Sequence, residues 1–298
     1  MDKRILIGCP VHNRELYLPH YLKHIHNINY DKKLIDIYWI VNNSTDATYD
    51  ILKDFKEKYK DEYNSVTIDV FNNKKYPKDQ RNLQTREKIY HWLSDLRNKL
   101  LKKCTSLNCD YLFSCDSDIL VPSDIITRLL YHKKDFVASL IYNGYLAPPV
   151  EIIHNKALGI ATKKPINDYN AIENAYKSPN ILKATHVSKD ERGEFSVVYK
   201  HIVNYKVKNP NLNPINTLTE VDFTGAVFLC SQELCTKSFY AWHKQGEDEV
   251  FSRVAKMQGY KLYCDLSLYS QHCMSEKILN MYLNGELTYT NGETIKIV

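Results

Sequence analysis

Two aspartates one residue apart, Asp116 and Asp118, close the apolar run Tyr111-Leu-Phe-Ser-Cys115. Residues i and i+2 of a strand share a face, and a bend at the strand end lets both carboxylates converge on one point. Paired carboxylates repel, and one pKa rises unless a cation sits between them. A hard divalent ion, Mg2+ or Mn2+, held by a few carboxylates and completed by substrate phosphates, relieves that repulsion. Solvated turn residues or helix caps are the competing reading, since Pro122-Ser-Asp124 follows directly and Asp is a common turn residue. A second acidic cluster, Glu247-Asp248-Glu249, opens an amphipathic helix, where the helix dipole favours acids whether or not they do chemistry. Successive helix positions differ by about 100°, so only one of these acids can face a substrate squarely.

The elements that must carry these residues follow from apolar patterning. Arg4–Pro10, Leu34–Val41, Val66–Phe71, Tyr111–Cys115, Phe136–Ile141, Val221–Cys230 and Tyr260–Asp265 read as strands. Between them lie segments of helical period. Tyr21, Leu22, Ile25 and Ile28 form one apolar face, with Pro19 in the first turn. Ile51, Leu52, Phe55 and Tyr59 form a second, and Ile89, Trp92, Leu93, Leu96 and Leu100 a third. Ile125, Ile126, Leu129 and Leu130 come next, then Val250, Phe251, Val254 and Met257, stopping at Gly259. This alternation predicts an α/β fold with a doubly wound, mostly parallel, Rossmann-like sheet, in which ligands bind at the carboxyl ends of the strands. Pro10-Val-His-Asn-Arg14, Asn42-Asn-Ser-Thr-Asp46 and the Asp116–Asp118 turn all fall at such ends. Residues 72–82 read as an exposed loop. Residues 143–220, broken by Gly144, Pro148, Pro149, Pro165, Pro179, Pro210 and Pro214, read as an irregular insertion with short strands such as Phe195–Tyr199. Gly225 marks a close backbone approach to a ligand or a bulge. The tail from Leu287 reads as a hairpin turning at Asn291-Gly292.

Composition sets outer limits. A chain of 298 residues, 44% hydrophobic and 25% charged, supports a packed core. The net charge of +5 suits an anionic small substrate and demands neither nucleic acid nor a membrane surface. The 23 tyrosines offer stacking surface with a polar tip, although most are expected in packing. The eight cysteines include no CxxC pair, which argues against a zinc knuckle, and several sit in apolar runs as small hydrophobes. No signal peptide or long apolar span is present, so a reducing, cytoplasmic setting is the default expectation.

In their order, Pro10-x-His12-Asn13-Arg14, Asp116-Ser-Asp118, Gly246-Glu-Asp248 and a following His272 resemble the GT-A glycosyltransferases of the family 2 kind. The match covers roughly residues 4–145 and 220–275. Leu18-Pro-His-Tyr-Leu22, Asn43-Ser-Thr-Asp46-x-Thr48 and Asp110-Tyr-Leu-Phe-x-x-Asp-x-Asp118 are similar to procollagen-galactosyltransferase catalytic domains. Leu96-Arg-Asn-Lys99 and Asp118-Ile-x-x-Pro-x-x-Ile125 also resemble the mannan-type mannosyltransferases.

The resemblance implies a single GT-A domain over residues 1–298. Residues 1–145 would be the nucleotide-sugar half, and 146–298 the acceptor half, carrying the base and the third metal ligand. It implies a metal-dependent transfer of a hexose from a nucleotide-sugar, UDP-sugar favoured over GDP-sugar, to an acceptor hydroxyl. The acceptor would be a glycan, a protein or a modified nucleobase. Direct displacement with inversion is expected; retention, as in the mannan-type group, is the alternative. Asp118 and His272 would ligate Mn2+ or Mg2+. Asp116 either joins them or holds the ribose or a metal-bound water, with Ser117 beside it. Pro10, Val11, His12, Asn13 and Arg14 would cradle the nucleoside. Asn42 and Asn43 stand where the family often has an acid, and Arg97, with Arg86 about three turns earlier, approaches the nucleotide. Asp248, with Glu247 second, would be the general base, and Trp242 either stacks on a sugar or packs. Two other classes remain open. One is a non-catalytic nucleotide or sugar binder of the same fold. The other is a nucleotidyltransferase, whose usual Gly-rich loop after the first strand is missing at Pro10–Arg14.

Overall fold

A computed structural model describes residues 2–72, 83–142, 150–155, 160–165, 182–189, 195–201, 218–221, 224–243, 246–288 and 294–296. The first half alternates as expected: β1 (Ile5–Val11), α1 (Leu18–His26), β2 (Ile35–Asn42), α2 (Thr48–Tyr59), β3 (Ser65–Phe71), α3 (Leu83–Ser106), β4 (Tyr111–Cys115), a short β5 (Ile119–Leu120), α4 (Ile125–Tyr131) and β6 (Phe136–Tyr142). The middle holds β7 (Val150–Asn155), β8 (Ile160–Pro165), β9 (Leu182–Lys189) and β10 (Phe195–His201). The last part runs through β11 (Leu218–Val221), β12 (Val227–Ser231), α5 (Gln232–Lys237), α6 (Glu247–Met257), β13 (Leu262–His272), α7 (Glu276–Leu283), β14 (Glu286–Thr288) and β15 (Thr294–Lys296).

The main sheet follows the order β11-β13-β6-β12-β4-β1-β2-β3, with β5 pairing on β13. β4, β1, β2 and β3 are mutually parallel, as are β6 and β13. β12 slots antiparallel between β4 and β6, and β11 runs antiparallel on the β13 edge. The mostly parallel, doubly wound expectation therefore holds. Alternate β1 side chains go to opposite faces because strand periodicity is two. Ile5, Ile7 and Cys9 join Trp39 and Phe113 under α1, α2 and α4, while Leu6 joins Tyr38 and Phe228 under α3, α5 and α6. Both faces are covered, which is why these strands read as continuous apolar runs. All eight cysteines are free and buried.

Several sequence expectations change. Val221–Cys230 is not one strand: it divides into β11 at the sheet edge and β12 inside the sheet. Ala226, at φ +47, lies just before β12 in a left-handed conformation that a strand cannot accommodate. The middle stretch is more regular than expected, with β8-β7-β10-β9 forming an antiparallel sheet. Gly144, Pro148, Pro149, Pro179, Pro210 and Pro214 lie outside the described residues, as do 73–82 of the expected loop. β13 continues past Asp265 through a register shift to Tyr269, so His272 ends this strand instead of occupying a loop after it. The tail strands pair antiparallel, Glu286 opposite Lys296; the Asn291-Gly292 turn lies outside the described residues. Among the described residues, no helix is long and apolar enough to cross a membrane.

β12 is pinned to α6 by rings. Phe228 stacks on Phe136 at 4.7 Å between centroids, and on Phe251 of α6 at 6.1 Å. Phe228→Ala opens a cavity in this stack and is expected to cost about 3–5 kcal/mol. Urea denaturation should show a lower midpoint at an unchanged slope; a loss below about 1 kcal/mol would mean that the stack does not anchor α6.

Candidate active site

The acid turn is fixed through its backbone. Asp116 N–H donates to the Ala226 carbonyl at 2.8 Å, Ile119 N–H to the Asp116 carbonyl at 2.9 Å, and Cys273 N–H to the Asp118 carbonyl at 2.8 Å. The two carboxylates then part company. Asp116, half-buried, accepts from Arg97 Nη2 on both oxygens at 3.0 and 3.1 Å. Asp118 is buried, with Arg14 Nη2 3.0 Å from Oδ2 and His272 Nε2 3.5 Å from Oδ1. Burial opposes ionisation of Asp118, but the bond and charge of His272, with the charge of Arg14, outweigh it and hold the carboxyl below its ordinary value. For His272, burial works against the charged ring, and Asp118, then Asp116, prevail and raise its pKa.

The loops after β1 and β2 form one wall. Asn13 and Asn43 both take φ of +48, a left-handed conformation that asparagine tolerates. His12 Nδ1 donates to the Asn42 carbonyl at 2.6 Å. Asn13 N–H donates to Ser44 Oγ, while the Asn13 side-chain oxygen accepts from Thr45 N–H. Arg14 N–H donates to Thr48 Oγ1 at 2.7 Å, and the Asn43 amide donates to Asn42 Oδ1 at 2.7 Å. Opposite this wall, α3 presents Ile89, Leu93 and Arg97 at four-residue spacing. These elements enclose a cleft of about 460 Å³ lined by Pro10 through Arg14, Asn42, Ile89, Leu93, Arg97, Asp116 through Asp118, and His272. Asn43, Glu247 and Asp248 stand outside that lining, and the side chain of Arg86 is outside the described residues. A larger groove, about 880 Å³ between α3 and α5, is walled by Phe71, Leu96, Phe239, Lys99 and Lys102, and among the described residues Asp95 is the sole carboxylate in its lining. The smaller cleft is thus the chemical one.

α6 begins after Gly246, at φ +114. Glu247 is buried, and its Oε1 accepts from Arg97 Nε at 3.0 Å. Asp248 points elsewhere: a Cβ added to Gly225 would lie 1.9 Å from its Oδ2, so Gly225 makes room for this carboxylate and not for a ligand. Asp248 Oδ1 and Arg97 Nη1 are both buried without a hydrogen-bond partner. Burial pushes the Asp248 pKa up to about 8, helped by the charges of Glu247 and Asp116 and opposed by Arg97. Trp242 stacks on His91 at 5.6 Å and 13°, so its ring packs on α3 while remaining partly exposed. Sequence reasoning missed the cleft-facing role of Ile89 and Leu93, which read as core positions; their i, i+4, i+8 alignment with Arg97 was the available signal.

Asp116, Asp118 and His272 offer two carboxylates and an imidazole, a donor set whose chemistry suits Mn2+ or Mg2+. They line one cleft, yet among the described residues no three of His, Cys, Asp and Glu are drawn together as a ready cage.

Sheet order, the acid turn after β4 and the acid-rich start of α6 define a GT-A glycosyltransferase-like fold. The chain belongs to the Anp1 family, whose model matches residues 1–229. It is 23% identical over 279 residues to the mannan polymerase II complex anp1 subunit of Schizosaccharomyces pombe, covering 88% of this chain and 62% of that protein. It is 25% identical over 145 residues to procollagen galactosyltransferase 1 of Danio rerio, covering 46% of this chain and 23% of that one. The chain therefore spans less than two thirds of either relative. Among solved structures, S. aureus TarS 1-349 in complex with UDP-GlcNAc matches with a TM-score of 0.50 at 12% identity, over 94% of this chain and 61% of that one. Both groups that the sequence motifs resembled are represented here.

Because the folded state holds a proton on Asp248 that the unfolded chain releases near pH 4, stability should fall as pH rises from about 4 to about 8. The slope from this group is at most about 1.4 kcal/mol per pH unit. Asp248→Asn removes it. The variant should melt above wild type at pH 8, and the gap should close toward pH 4; a pH-independent gap would refute the buried-acid assignment.

Proposed function

We propose that this chain transfers a hexose from a nucleotide-sugar, UDP-sugar favoured, to an acceptor hydroxyl with inversion. The observation that carries the reading is the single cleft bringing Asp116, Asp118, His272 and Arg97 opposite the His12–Arg14 wall. Membership of the Anp1 family supports it, as do a relative named as a mannan polymerase subunit and another named as a galactosyltransferase.

In this reading the β1 and β2 loops bind the nucleoside, with Pro10, Val11 and His12 through Arg14 against Asn42, and Asn43 shaping the turn. Arg14 and Arg97 bring fixed positive charge to the diphosphate. A divalent ion, Mn2+ or Mg2+, held by Asp118 and His272 with Asp116 beside them, would neutralise charge on the departing nucleoside diphosphate. Asp248 takes the acceptor proton in its deprotonated form, whose share grows as pH rises toward about 8. Residues 1–145 serve the donor and 146–298 the acceptor, a glycan, a protein or a modified nucleobase. A reducing, cytoplasmic setting is part of the reading, supported by eight free buried thiols.

The test is a hydrolysis and transfer screen over UDP- and GDP-sugars with and without Mn2+. Wild type should consume one donor in an Mn2+-dependent way. Asp118→Ala should lose hydrolysis and transfer together, and Asp248→Asn should keep donor binding while transfer falls by about 100-fold or more. Donor binding with no turnover in wild type would favour a non-catalytic binder. Wild-type turnover in Asp248→Asn would remove that residue as the base.

A further inference from the structure

We propose that Glu247 is a positioning residue and not a proton acceptor: through Arg97 it locks the helix carrying Asp248 to the turn carrying Asp116. The proposal rests on the transfer reading for its kinetic arm; its second arm reads the buried Asp248 beside Glu247 and needs no turnover.

Arg97 joins the two elements directly. Its Nε is spent on Glu247, 150 residues away, and its Nη2 on Asp116, 19 residues away. Both the Arg97 and Glu247 side chains are 5% exposed, so neither has solvent as an alternative partner. A buried guanidinium between two carboxylates resists displacement, because losing either partner leaves uncompensated charge out of water. The grip extends into the segment before α6. Arg97 lies 5.8 Å from the centre of the Tyr240 ring, and that ring stacks on Phe251 of α6 at 4.7 Å. The Asn98 side chain holds Tyr240 twice, donating to its carbonyl at 2.8 Å and accepting from its N–H at 2.9 Å. Consecutive residues of α3 therefore clamp both the approach to α6 and its first residue.

This clamp settles which acid is available. The Glu247 carboxylate is turned into α3. Asp248, about 100° further round the helix, lies over Gly225 with Oδ1 unpartnered. Arg97 Nη1 is likewise buried without a hydrogen-bond partner. One of these two atoms accepts and the other donates, which are the two functions an incoming hydroxyl and a departing phosphate require. The charged and titratable groups that bear on Asp248 are Arg97 from α3, Asp116 from the acid turn, Glu247 on its own helix and Tyr240 from the preceding segment.

Glu247→Ala, Glu247→Gln and Asp248→Asn separate the roles. Glu247→Ala should lower kcat about 100-fold with donor KM held within about threefold, since orientation and not donor affinity is lost. Glu247→Gln keeps an oxygen for Arg97 and should recover part of that loss. Its kcat should also reach its plateau at lower pH than wild type, because a negative neighbour of Asp248 is gone. If Glu247 were the base, Gln would be as inactive as Ala and the acid limb would vanish, which would overturn the proposal. The second arm needs no turnover: the melting-temperature gap between Asp248→Asn and its parent at pH 8 should shrink in the Glu247→Gln background. An unchanged gap would overturn the coupling. Inactivity of wild type toward every donor would overturn the transfer reading alone, leaving the melting arm to decide the lock.

Discussion

A guanidinium buried between two carboxylates is the interaction on which this site depends. Arg97 cannot remain charged in the interior without partners, and Asp116 and Glu247 supply them from opposite directions. Asp116, Asp248 and Glu247 in turn keep the guanidinium charged against the cost of burial. Helix α3, the end of β4 and the start of α6 therefore cannot drift apart without exposing an unpaired charge. Nearby, Asp118 meets Arg14 and His272 in the same manner. The site is acidic in composition, yet most of its carboxylates already face a cation from another element. Asp248 has an Oδ1 without a hydrogen-bond partner, and its burial, with the negative charges of Glu247 and Asp116, raises its pKa against the pull of Arg97.

The sheet makes this convergence possible. Parallel strands deliver their following loops to one edge, so the turns after β1, β2 and β4 meet although about a hundred residues separate the first from the last. Inserting β12 antiparallel beside β4 brings Gly225 and Ala226 to that same edge, where the Ala226 carbonyl holds Asp116 N–H and Gly225 leaves space for Asp248. A strand in the opposite direction would put those two residues at the far end of the sheet.

Much of this was legible in the chain. Strands β1, β2, β4 and β6 are buried on both faces and advertise themselves as unbroken apolar runs. Gly246 before three acids marked the start of α6. The polar loops fell at strand ends because the alternation of strand and helix leaves them nowhere else. What stayed hidden depends on distant partners. In Val221–Cys230 Gly225 marked a bulge or a close approach, but nothing local showed that the strand divides, since alanine gives no sign of adopting φ +47. The reach of β13 to His272 depends on pairing with β5 and β6. That Arg97 engages Glu247 is a contact across 150 residues, which helical spacing around either residue cannot reveal.

The loops after β1 and β2 are cross-linked almost residue for residue. Asn13 pairs with Ser44 and Thr45, Arg14 with Thr48, and Glu15 exchanges hydrogen bonds with Asp46 and Ala47. Neither loop can swing out alone without abandoning several bonds at once. They form one cross-linked plate rather than two fingers, and opening either loop breaks bonds to the other. Any molecule entering the cleft therefore meets a wall that is already assembled, and the ordering entropy of some ten residues is settled by folding before binding begins.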